Sequence, residues 1–108
     1  MGQYHKLYNL DKKEFINPHA INNGLKLREQ LSGDKSTAAA LFLLIANSNG
    51  RGGGDVNDHD LIGTWSGDRV LVQGDYSDEN DAAFISDNEI SEFIDISEKV
   101  NDMLKTAI

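Results

Sequence analysis

Nine consecutive apolar residues, Ala38 to Ala46, constrain this 108-residue chain more than any other feature. The run reads Ala-Ala-Ala-Leu-Phe-Leu-Leu-Ile-Ala and carries no charge on any face. Alanine and leucine are strong helix formers. The spacing therefore predicts a helix over about 35–47, with Asp34 as the N-cap that accepts from its free amides. A helix that is apolar all round has to be covered on most sides, so it is the expected centre of the core. The run is far shorter than the roughly 20 residues a membrane span requires, and no membrane partner is expected. The stretch Gly50-Arg51-Gly52-Gly53-Gly54-Asp55 cannot prolong the helix, because each glycine costs about 1 kcal/mol relative to alanine there.

Shorter elements follow on either side. Residues 3–17 read as a β-hairpin, with Tyr4, Lys6, Tyr8 and Leu10 on one face, a polar Asp11-Lys12-Lys13 tip, and Glu14-Phe15-Ile16 returning. Pro18 ends the second strand because it has no amide to donate. Asn22-Asn23-Gly24 marks a turn, and Leu27 and Leu31 predict a short helix behind it. Leu61–Trp65 and Arg69–Asp75 read as two strands joined by Ser66-Gly67-Asp68. Residues 75–82 form an acidic loop, and Ala83-Phe84-Ile85 a short strand. Ser86 and Glu89 have capping-box spacing. Ile96, Val100, Met103, Leu104 and Ala107 recur at helical intervals and predict a C-terminal helix over about 97–106. The fold expected is α+β, a small single domain over residues 1–108. Its sheet is mostly antiparallel, made of short hairpins packed on a buried central helix and a C-terminal amphipathic helix. The chain lacks the regular strand–helix alternation of a doubly wound sheet.

Composition removes several chemistries. There is no cysteine, so there are no disulfides, thiolate metal sites or cysteine nucleophiles. The formal charge is −8, and a nucleic-acid backbone would be repelled by such a surface. That charge is unevenly spread. Residues 1–35 are mildly basic, whereas residues 55–102 hold fourteen acidic side chains against Arg69 and Lys99. Met1 to Lys6 has no apolar stretch, so no secretory signal is expected. Lys6 also stands where myristoylation would need serine or threonine. A cytoplasmic location is the default.

Candidate sites are few. Successive glycine amides at 50–54 could point at an anion, and Arg51 could supply a fork of donors. With His19 or His59 nearby and Asp68 in the same pocket, that loop would make the centre of a small-ligand or phosphate-binding domain or enzyme. Yet the loop leaves a helix rather than entering one, Asp55, Asp58 and Asp60 follow it, and no Gly-Lys-Ser/Thr ending is present. Counted from Asp55, the calcium-loop pattern fails, with Asp60 where glycine belongs and Ser66 where glutamate belongs. No metal and no cofactor are expected. His5, His19 and His59 could act as bases, but no nucleophile motif accompanies them, and no catalytic residue is assigned.

The segments Met1-Gly2-Gln3-Tyr4, Asn9-Leu10-Asp11-Lys12-Lys13-Glu14, Pro18-His19, Gly50–Asp55, Gly63-Thr64-Trp65-Ser66-Gly67-Asp68-Arg69 and Gly74-Asp75-Tyr76 resemble a family of small uncharacterised proteins from bacteria and mobile elements. That resemblance spans about two-thirds of the chain, weakens after Tyr76, and implies no reaction. Where the family carries Lys-Leu-Leu-Glu-Phe, this chain has Lys26-Leu27-Arg28-Glu29-Gln30. Acidity, small size and the lack of catalytic motifs point to an interaction protein. Its binding face would be Asp55, Asp58, Asp60, Asp75, Asp78, Glu79 and Asp81, and its partner a larger protein with a basic surface. A phage or mobile-element inhibitor of a nucleic-acid-handling defence enzyme is one such protein. Self-association through helix 38–46 is a third possibility.

Overall fold

The N-terminal hairpin organises the sheet. In the computed structural model, which describes residues 3–47 and 56–108, strand β1 (His5–Asn9) returns as β2 (Glu14–Ile16). Leu7 lies opposite Ile16 and Tyr8 opposite Phe15. Lys13 adopts a left-handed φ of 54° at the tip. Strand β3 (Val70–Gly74) pairs antiparallel with the other edge of β1, placing Leu7 opposite Val72. Strand β4 (Ile94–Asp95) joins β2 in parallel, so the strand order is β3-β1-β2-β4. The α+β class holds. The sheet is mixed rather than wholly antiparallel, because β4 arrives at β2 after a long excursion and runs in the same direction.

Three helices complete the described structure: α1 (Thr37–Ile45), α2 (Asp87–Ile90) and α3 (Ser97–Ala107). Pro18 leads not into strand but into a 3-10 turn, Pro18–Ile21, where Asn17 Oδ1 accepts from the His19 amide. A second 3-10 turn, Leu27–Gln30, stands where the short helix was expected, with Leu27 and Leu31 both exposed.

Alternation gives the sheet two faces. The inner face presents Leu7 and Ile16, which cluster with Ile21, Ala40, Leu44, Trp65, Ile96, Val100, Met103 and Leu104. Helix α3 follows its predicted pattern: Val100, Met103, Leu104 and Ala107 are buried, while Glu98, Lys99 and Lys105 face outward. The outer face presents Tyr8 and Phe15, which stack with ring centroids 5.9 Å apart. Phe93 meets Tyr8 edge-on at 5.7 Å. The segment between β3 and β4 therefore roofs the outer face.

Helix α1 departs from expectation. It is not the buried centre of the core. Ala40 and Leu44 are fully enclosed, but Phe42 is 76% exposed and Ile45 is exposed too. Ala39, Leu41 and Leu43 pack partly against the core beside them, and α3 supplies more of the interior than α1. The helix also starts later. Ser36, not Asp34, caps it, with Oγ accepting from the Ala39 amide at 3.1 Å. Asn23 Oδ1 holds the Thr37 amide at 2.9 Å and fixes that start.

Residues 61–65 are a run of turns, not a strand, and β3 pairs with β1 instead of with them. The reason lies at the C-terminal end of α1. Its last carbonyls have no partner within the helix. The amides of Gly63 and Trp65 supply one, donating to Leu43 O at 3.1 Å and Leu44 O at 2.9 Å. Gly63 takes a φ of +84°, and a Cβ there would stand 2.8 Å from the Ala46 carbonyl oxygen. Those amides are thus unavailable to a ladder. Ala83–Ile85 is not a strand either. The Gln73 side chain grips both backbone groups of Ile85, donating to its carbonyl at 2.9 Å and accepting from its amide at 2.8 Å.

The one-sided burial of α1 is testable. Leu44→Ala is expected to cost about 2–5 kcal/mol, the range for emptying an enclosed leucine site. Phe42→Gln is expected to change stability by less than about 0.5 kcal/mol. Urea unfolding of both variants checks the contrast.

Candidate functional site

Two of the motifs singled out in the sequence bind each other. The Asn9 side chain is fully buried. Its Oδ1 accepts from the amides of Asp11 and Lys12 at 2.9 and 2.8 Å, closing the hairpin tip. Its Nδ2 donates to Asp68 Oδ2 at 2.9 Å, and Lys12 Nζ pairs with the same carboxylate. Arg69 Nε donates to Asp11 Oδ1 at 2.9 Å, and the Arg69 amide donates to Asp11 Oδ2 at 2.7 Å. Trp65 Nε1 donates to Glu14 Oε1 at 2.8 Å. The segment Asn9–Glu14 and the segment Trp65–Arg69 thus form one clamp. Backbone and side-chain donation from Arg69 holds the Asp11 carboxyl below its usual 3.8. Hydrogen bonds from Lys12 and then Asn9 do the same for Asp68.

The ligand set suggested around Asp68 is placed as follows. Asp68 is engaged in the clamp. His19 is exposed on the first 3-10 turn, beyond the other end of β2. Arg51 lies outside the described residues, as do the rest of the glycine loop and Asp55.

The remaining acidic candidates fall into two areas. Asp58 and Asp60 are exposed and flank His59. His59 Nδ1 accepts from the Leu61 amide at 3.1 Å, which places the ring proton on Nε2, 2.9 Å from Asp102 Oδ2 on α3. Asn57 reinforces this seam, its amide donating to Ala107 O and its side chain to Thr106 O. A shallow cleft here adds Glu98 and Lys99 to His59, Asp60, Leu61 and Asp102, and brings no hydroxyl to the imidazole. The histidine staples a loop to α3.

Asp75, Asp78, Glu79 and Asp81 occupy the loop after β3, all exposed. Asp75 Oδ1 accepts from the Tyr4 amide at 3.0 Å, and the Asp75 amide donates to Tyr4 O at 2.9 Å. Asp78 Oδ1 accepts from the Asn80 amide, and Asp81 Oδ2 from the Asp78 amide, each at 2.9 Å. The loop is therefore shaped by its own carboxylates, which still present open oxygens. Seven acidic side chains lie between residues 75 and 92. Among the described residues only Glu92 of these reaches a cation, Lys13 at 3.7 Å.

Beside this loop the outer sheet face opens into a cleft of about 500 Å³. Tyr4, Lys6 and Tyr8 form its floor, and Asp75, Phe84 and Asp87 rise at its sides. The roofing segment is set by a capping box: Ser86 Oγ accepts from the Glu89 amide at 3.2 Å, and Glu89 reaches back to the Ser86 amide. Burial, followed by the nearby Asp87 charge, pushes the Tyr8 hydroxyl above its ordinary pKa. The floor was legible from the alternation of residues 4–10. The walls were not, since they come from the distant segment Asp75–Asp87. Among the described residues no three His, Asp or Glu side chains converge as metal ligands. No helix of the described residues is long and apolar enough to cross a membrane.

The clamp makes two predictions. Asn9→Ala is expected to cost about 2 kcal/mol, since buried and half-buried partners lose their bonds. The second concerns pH. Asp11 and Asp68 have depressed pKa values, so their contribution is fully present above 3.8 and is lost as pH falls through the lowered values. Stability should therefore fall as pH drops below about 4, and Asp68→Asn should lessen that fall. Equal slopes in denaturant titrations of the two proteins would remove the clamp from the acid response.

In comparisons with known proteins, no family model matches this chain, and no curated protein and no solved structure matches it.

Proposed function

We propose that this protein works by binding a larger protein through a basic surface of that partner. One observation supports the reading: among the described residues, the exposed carboxylates between residues 75 and 92 meet a single cation, Lys13 at Glu92. Lys12 and Arg69 are drawn into the hairpin clamp. The acidic excursion keeps its charge, and charge that is not neutralised internally steers encounter with an opposite surface. Inhibition follows where the covered surface is the partner's working groove. A mobile-element protein that occupies the nucleic-acid groove of a defence enzyme is one instance, in keeping with the motif resemblance. The face used would be Asp75, Asp78, Glu79 and Asp81, with Asp58 and Asp60 as a second acidic area.

A pull-down from cell lysate, run at low and high salt, tests the reading. Retention of a basic protein at about 50 mM salt, lost at about 500 mM, is expected because screening shortens the reach of surface charge. The triple charge reversal Asp78→Lys, Glu79→Lys, Asp81→Lys should slow association about tenfold or more. A chain that retains nothing at low salt, or a reversed variant that binds as fast as the parent, would refute it.

A further inference from the structure

The cleft on the outer sheet face has the chemistry of a cation seat. Its volume of about 500 Å³ is that of a site for a side chain or small ligand. Tyr4, Tyr8 and Phe84 line it, and Tyr4 and Phe84 are 48% and 38% exposed. Aromatic faces attract cations through the ring quadrupole. Two carboxylates share the same space. Asp87 accepts no hydrogen bond through its side chain and pairs with no cation among the described residues. Asp75 commits Oδ1 to the Tyr4 amide and leaves Oδ2 open. Lys6 is the cation on the floor, and its ammonium lies 5.9 Å from the Phe15 ring centroid on the adjacent strand. An anion entering the cleft would meet two carboxylates, with the field of Asp78, Glu79 and Asp81 behind them.

We infer that this cleft seats a guanidinium or ammonium group, presented as an arginine or lysine side chain by the basic partner. The inference rests on the reading of that partner as basic, and adds the place where one of its side chains is held. The surrounding carboxylates supply long-range attraction. The cleft supplies a fixed position, with aromatic rings at the sides of the cation and Asp87 as its counter-charge.

Titration of the ¹⁵N-labelled full chain with butylguanidinium and butylammonium tests this, with butyrate as the control at matched ionic strength. Saturable shifts confined to the amides of Gly74, Phe84 and Asp87 are expected from the two cations and none from butyrate. Asp87→Asn and Phe84→Leu should each weaken the binding about threefold. The amide spectra show directly whether each variant keeps the fold. Unsaturable shifts spread over every acidic residue, or unchanged affinity in Asp87→Asn, would overturn the inference. Passage over immobilised polylysine at low salt separates the cleft from the acidic surface. Retention that Asp87→Asn reduces supports the cleft. Retention without cleft shifts discards the cleft and leaves the acidic surface standing. Cleft shifts without retention discard a polypeptide source, and with it the inference as stated.

Discussion

The buried amide of Asn9 carries more of this structure than its size suggests. A four-residue hairpin tip with two lysines has little apolar surface of its own. Its shape comes from one side-chain oxygen that accepts two backbone amides. The nitrogen of the same side chain reaches Asp68, fifty-nine positions away. A local turn and a long-range contact are thus closed by one group. Neither half can be satisfied by water, because the side chain is fully enclosed, and a buried amide without partners is costly. Once Asn9 is placed, Arg69 meets Asp11, Trp65 meets Glu14, and β3 is delivered to the edge of β1.

That arrangement also sets the electrostatics. The chain has eighteen acidic and ten basic side chains, and the clamp commits two of the basic ones to carboxylates near the tip. Lys13 joins Glu92 at the same end. The excursion that follows β3 receives little compensation beyond that pair among the described residues. Asp78 and Asp81 bend the loop by accepting amides within it, and this turn chemistry uses one oxygen of each. The same residues can therefore shape the loop and face outward as charge.

Much of the framework was legible in the sequence. The hairpin at 5–16 was visible in its aromatic alternation, and α3 in the spacing of Val100, Met103, Leu104 and Ala107. The capping pair Ser86 and Glu89 was visible as well. Each of these is a local pattern with a local cause. What was not legible depended on distant partners. Leu61–Trp65 has strand-like composition, yet its amides serve the exposed carbonyls of α1. Phe42 sits in the most apolar run of the chain and is the most exposed large hydrophobic side chain among the described residues, because periodicity cannot say how many elements will cover a helix. Asp68 reads as a loop residue and a candidate ligand, and Arg69 as the start of a strand, until Asn9–Glu14 is folded against them. The floor of the outer cleft could be read from residues 4–8. Its roof could not, because the strand expected at 83–85 is replaced by a side-chain contact.

Gln73 is that contact. A strand joined to a sheet by a ladder peels away one hydrogen bond at a time. The segment around Ile85 is instead pinned by two bonds from one amide side chain. Rotation of that side chain would break both bonds at once while leaving the β1–β3 ladder whole. The polar join between roof and sheet is therefore all-or-none, where a ladder would yield by degrees.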